Sequence, residues 1–164
     1  MLGRAGTKAV LAQRVNSMRL FSTSTRAKYL IETDEVQELI AQNDPNVRFV
    51  NASWYMPGGK VDARAQHEET RLTPTTQYMS ISEVVDPHSS LPIAMPSAEV
   101  FAEHMKQIRV GRNHRIVCYD HLGMFTVARA AWMFRFFGAT DVRILSGGLK
   151  KWIKEGRLTA SGAY

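Results

Sequence analysis

From Thr33 onward, apolar residues fall alternately into short β-branched runs and into faces with helical spacing. Val36, Leu39 and Ile40 lie at i, i+3 and i+4, with Asp34 and Glu35 ahead of them, which predicts a helix capped by Thr33 with one face on a core. Asp44-Pro45-Asn46 predicts a turn and Val47 to Ala52 a strand. Asp62 to Thr70 reads as a short helix, Gln77 to Ile81 as a short strand, and residues 86–96, with Pro87, Pro92 and Pro96, as a long connection. Ser97 is placed to cap a helix through Ile108, with Phe101, Met105 and Ile108 on one face. Arg115 to Asp120 is a short apolar run of the kind that forms a central strand covered on both faces. A tight loop turning at Gly123 follows, then a helix over Phe125 to Phe137, apolar on most sides and so expected within the core, ending at Gly138. Asp141 to Leu145 is a further strand, and Leu149 to Glu155 a last helix closed by Gly156. The alternation predicts an α/β domain: a mostly parallel sheet with helices on both faces.

In such a strand–loop–helix unit the loop amides and the helix N-terminus point at one spot, where negative charge is favoured. The loop here runs Asp120, His121, Leu122, Gly123, Met124, Phe125. The carboxylate of Asp120 is expected to accept those amides itself. It would repel a second anion at ~4 Å by about 4 kcal/mol at an effective dielectric near 20.

At 164 residues the chain is long enough for one domain with a real core, and 45% apolar and 22% charged residues are ordinary for a globular protein. No run approaches the roughly 20 apolar residues of a membrane span. The net charge of +6 resides in residues 1–28, which hold six basic side chains and no acid, leaving 15 of each sign in the rest. A neutral globular part argues against nucleic acid as a partner. The basic, Ser/Thr-rich segment 1–28, with apolar Leu2, Val10, Leu11, Val15 and Leu20 but no continuous apolar core, has the composition of a mitochondrial transit peptide. Arg19 to Ser24 resembles a matrix-processing pattern with a mature start near Tyr29. A disordered basic arm is the plainer alternative.

One cysteine excludes an internal disulfide, and Cys118, two residues before the loop on a buried strand, reads as a small inert core residue. A Cys-x5-Arg phosphatase loop would need Cys at 120 and Arg at 126, where Asp120 and Thr126 stand. Pro57-Gly58-Gly59-Lys60 lacks the spacing of a phosphate loop. Asp120 and His121 are adjacent, and His67, His88, His104 and His114 show no ligand spacing, so solvation of the loop is expected and no metal or cofactor.

Several stretches resemble a known family: Ala52 to Pro57, Leu91-Pro92 with Met95 to Ser97, Val117 to Asp120, Ala128 to Arg135, Gly138, and Leu145 to Trp152. Together they resemble the N-terminal domain of thiosulfate and 3-mercaptopyruvate sulfurtransferases, the two-domain rhodaneses, from about Val47 to Gly156. The resemblance implies the rhodanese fold, a five-stranded parallel sheet flanked by helices. It also implies that the persulfide-carrying cysteine belongs to a C-terminal domain, and that this domain carries an aspartate at the corresponding place, here Asp120. The chain ends at Tyr164, where the family's interdomain linker would begin. Asn51 stands where the family usually has Asp, and Leu72-Thr73-Pro74-Thr75 replaces a family turn. Trp54, Trp132 and Trp152 are expected as core or interdomain aromatics, and an unpartnered face would leave an apolar patch for a protein contact.

These readings give a targeting-like extension over 1–28 and one rhodanese-like domain over 29–164. The expected function is a non-enzyme: a structural or accessory subunit of a mitochondrial assembly, in the matrix or on the matrix face of the inner membrane. A respiratory complex, supercomplex or ATP synthase is favoured. Its partners would be other subunits, with membrane proximity through the assembly or the basic arm. The alternatives are the non-catalytic half of a sulfurtransferase working with a separate cysteine-bearing domain, and a sulfur carrier or redox sensor using an exposed, low-pKa Cys118.

Overall fold

The structure, a computed structural model, describes residues 29–163; the extension predicted over 1–28 lies outside the described residues. The elements in chain order are β1 (Leu30–Ile31), α1 (Thr33–Gln42), β2 (Val47–Asn51), α2 (Ala63–Glu69), β3 (Gln77–Tyr78), α3 (Ala98–Gln107), β4 (Arg115–Tyr119), α4 (Val127–Phe136), β5 (Val142–Leu145) and α5 (Gly148–Lys154). Five strands form one sheet in the order β1-β5-β4-β2-β3, and every pairing is parallel.

Strand β4 sits in the middle and divides the core by its pleat. Ile116 and Cys118 point into one cluster with Val50, Phe101, Met105, Ala130 and Phe134, which builds in α3 and α4. Val117 and Tyr119 point the other way, into a cluster with Phe49, Val36, Leu39, Leu149 and Trp152, which builds in α1 and α5. All four of these β4 residues are fully buried. Burial on both faces is why this segment reads as an unbroken apolar run and not as an alternating one.

The elements differ from the sequence expectation at several points, among them β3, which ends at Tyr78 and not at Ile81. The cap of α1 is Glu32, whose amide donates to Glu35 Oε2 at 3.1 Å, while Thr33 is the buried first helical residue. Helix α4 starts at Val127, not Phe125, because the amides of the residues ahead of it are bound by a side chain in the loop. It is also less enclosed than its composition suggests: Trp132 is 51% and Phe136 62% exposed. The fifth strand, β1, is only two residues long and has no pattern to read; its register is Leu30 with Ile144 and Ile31 with Leu145. Among the described residues no helix is long and apolar enough to cross a membrane.

Candidate functional site

The loop after β4 lies at the carboxyl end of the sheet, the end at which open parallel sheets bind ligands. Asp120 is fully buried at its root. Its Oδ1 accepts the amides of Leu122, Gly123 and Met124 at 3.0, 2.8 and 2.8 Å, and its Oδ2 those of Thr126 and Val127 at 2.8 and 3.1 Å. The Thr126 hydroxyl donates to the Ala52 carbonyl at 2.8 Å, tying this cradle to the end of β2. Burial alone would raise the Asp120 pKa. The amides of Met124, Thr126, Val127 and Gly123 outweigh it and hold the carboxyl below its ordinary value. The carboxylate therefore occupies the converging amides, as the loop's sequence leads one to expect.

The tight path has a backbone cost. Gly123 takes φ +95° and Met124 φ +96°, a region a side-chain-bearing residue seldom enters. The outer surface of the loop is apolar: Leu122, Met124 and Phe125 are exposed, and Phe125 and Leu122 share a hollow of about 310 Å³ with Trp54, Tyr55, Met56 and Val61. Polar groups thus point inward and apolar side chains outward, the reverse of a solvated loop.

A second group of polar residues is buried beside Asp120. The side-chain amide of Asn51, at the end of β2, donates to His67 Nδ1 at 3.1 Å and to His121 Nε2 at 3.2 Å. Its carbonyl accepts the Ser53 amide at 3.0 Å and the Ser53 hydroxyl at 2.6 Å, which fixes the orientation of the Asn51 amide. The Ser53 oxygen in turn accepts the His121 amide at 2.9 Å. Both rings therefore accept at Asn51, placing their protons on His67 Nε2 and His121 Nδ1. Burial lowers the His67 pKa to about 4, helped by the Arg71 cation and by His121. Burial likewise lowers His121 to about 4, against the attraction of Asp120. The expected solvation of His121 is thus corrected: it turns inward to a partner 70 residues away in sequence. The network escapes a reading of the sequence because His67 and His121 lie 16 and 70 residues from Asn51 and no local spacing joins them to it. The one available signal is Asn51 itself, standing where the family usually has aspartate.

Cys118 is fully buried, and desolvation raises its pKa far above the ordinary thiol range. The low-pKa, exposed thiol required by the redox-sensor alternative is not what the fold provides. Among the described residues no group of three or more His, Cys, Asp or Glu is arranged to hold a metal ion.

Comparison with known proteins identifies the arrangement. Residues 58–155 match the rhodanese-like domain. Thiosulfate sulfurtransferase of Cricetulus griseus is 35% identical over 136 residues, covering 80% of this chain and 45% of that protein. The crystal structure of a 3-mercaptopyruvate sulfurtransferase from Escherichia coli superposes with a TM-score of 0.77 at 29% identity, over 84% of this chain and 52% of that one. The sub-stoichiometric sulfur transferase subunit of yeast mitochondrial complex I gives a TM-score of 0.65 at 27% identity, over 72% of this chain and 38% of that one. The chain spans less than half the length of the curated relatives it matches. These relatives bear the names of enzymes, and this overturns the expectation of a non-enzyme.

Proposed function

Because the chain belongs to the rhodanese-like domain family, we propose that it is one domain of a mitochondrial sulfurtransferase, working beside a second rhodanese domain that supplies the sulfur-carrying thiol. The observation that carries this reading is the Asp120 loop. Its amides are taken by its own carboxylate, and its apolar side chains Leu122, Met124 and Phe125 are turned outward with Met56 beside them. Such a loop presents a docking face. Transfer of a sulfur atom needs a thiolate nucleophile. The chain's single thiol, Cys118, is enclosed on the central strand, so the nucleophile comes from the other domain. The Asn51–His67–His121 network then serves as the rigid backing of the face.

Sulfur transfer from thiosulfate to cyanide tests this. The chain is assayed alone, as Cys118→Ser, and with an added cysteine-bearing rhodanese domain. Turnover is expected only with the added domain, unchanged by Cys118→Ser and reduced about tenfold by Phe125→Glu. Turnover by the chain alone that is lost in Cys118→Ser would overturn the proposal.

A second reading puts this domain within a respiratory assembly, on the matrix side of the inner membrane. It is favoured by the likeness to the yeast complex I sulfur transferase subunit and by the acid-free, basic segment 1–28. The two readings are compatible. Native gel electrophoresis of mitochondria expressing the tagged chain separates them: migration with a many-subunit particle supports the assembly, and migration only with a cysteine-bearing rhodanese removes it.

A further inference from the structure

A feature at the opposite pole of the molecule is not used by any of this. Helix α4 leaves the Asp120 loop and runs back toward the amino ends of the strands, so its last turn is far from the loop along the helix axis. Four aromatic rings form a continuous ladder there. Trp132 packs on Phe136 with centroids 5.4 Å apart, Phe136 on Phe137 at 5.1 Å, and Phe137 stacks on Phe101 of α3 at 4.3 Å. The outer rungs are open to solvent, Phe136 at 62% and Trp132 at 51%. The inner rungs floor a groove of about 400 Å³ between α3 and α4. Its rim carries Lys106 and Arg112, and among the described residues no acidic side chain lines it. Neither cation has an ion-pair partner among the described residues.

From this juxtaposition we propose that the aromatic ladder and its basic rim dock an acidic amphipathic helix of a partner protein. Two exposed rings one helical turn apart on α4 present an apolar stripe that a crossing helix can cover, and aromatic rings are the commonest anchors of such contacts. Lys106 and Arg112 on the rim of the adjoining groove favour acidic side chains of an occupant and disfavour basic ones. Segment 1–28, with six basic residues and no acid, lacks the charge that this rim favours. This site is independent of the Asp120 loop and of the function proposed for it.

The test is fluorescence anisotropy of the full chain with a labelled synthetic peptide about five helical turns long. Leu and Phe occupy one face of the peptide and Glu the other, and a counterpart carries Lys in place of Glu. The acidic peptide is expected to bind at least about tenfold more tightly than the basic one, and to weaken when salt rises to about 0.3 M. Trp132→Ala with Phe136→Ala, and separately Lys106→Glu with Arg112→Glu, are each expected to weaken it about tenfold while the urea midpoint stays at the wild-type value. Equal binding of both peptides, no binding, or indifference to both double variants overturns the proposal. So does a dimer in sedimentation that Trp132→Ala with Phe136→Ala abolishes, which would assign the face to a second copy. Stronger binding of phosphatidylserine vesicles than of the acidic peptide would also overturn it.

Discussion

Gly148 lies directly against Asp120. A Cβ on Gly148 would stand 2.5 Å from the Asp120 carbonyl oxygen, and the neighbouring Leu149 amide donates to that same oxygen at 2.9 Å. The start of α5 is thus seated on the root of the loop after β4, with Gly123 filling the remaining space 3.1 Å from the same point.

This contact makes Gly148 intolerant of any side chain. Its φ of +58° already disfavours an L-residue, and the obstructing atoms are backbone. Gly148→Ala is expected to lower stability by about 3 kcal/mol, read as a shift of the urea midpoint at unchanged slope.

Asp120 holds five amides that lose their acceptor if it is truncated. Asp120→Ala is expected to cost about 3 kcal/mol at pH 7. Because the folded pKa lies below the ordinary carboxylate value, the stabilisation is complete above that value and is lost as pH falls through the folded one. Acid unfolding profiles should therefore be flatter below about pH 4 in Asp120→Asn than in the wild type.

Replacing the same side chain by a thiol probes the cradle as an anion site. Asp120→Cys places a sulfur where five amides converge, and its pKa is expected to fall at least about one unit below the ordinary ~8.5. The pH dependence of iodoacetamide alkylation reads this directly. An ordinary pKa would show that the amides relax once the carboxylate is gone.

The two inward histidines make stability pH-dependent in a higher window. Both have folded pKa values near 4 against about 6.5 unfolded, so the unfolded chain binds more protons between those values and stability falls as pH drops from about 6.5 toward 4. His67 alone corresponds to about 3 kcal/mol. Asn51→Asp puts a carboxylate between the rings, where it favours their protonated forms, and is expected to flatten urea-midpoint profiles measured from pH 7 to about pH 4.5.

Cys118 should resist a thiol reagent in the native protein and react at a rate set by unfolding, because burial suppresses its thiolate. Rapid stoichiometric labelling at pH 7 would contradict the placement of its side chain.

The backbone of this fold is largely legible in the chain because its central strand and main helices are marked by local patterns. Val36 and Leu39, Phe101 and Met105, and the run Ile116 to Tyr119 are periodic or continuous, and the structure buries all of them. Ser97 and Asp62 cap α3 and α2 as short polar residues ahead of helices do, with Ser97 Oγ accepting the Val100 amide at 3.3 Å. Strand β1 is invisible because two residues carry no period, and its pairing with β5 spans more than a hundred residues. The site divides in the same way. The Asp120 cradle is built from its own next seven residues and can be anticipated, whereas Asn51, His67 and His121 meet only once β2, α2 and the loop are assembled. The openness of Trp132 and Phe136 cannot be read from a helix apolar on nearly every side, since composition does not say which faces find a neighbour.

The two outermost strands of the sheet, β1 and β3, are each two residues long. Among the described residues, a rim that short offers an incoming strand little ladder to lengthen, which disfavours joining by extension of the sheet. The two faces proposed above, the outer surface of the Asp120 loop and the aromatic ladder, are both side-chain surfaces. Among the described residues the edges of this sheet therefore give little room to the backbone pairing that leads to aggregates.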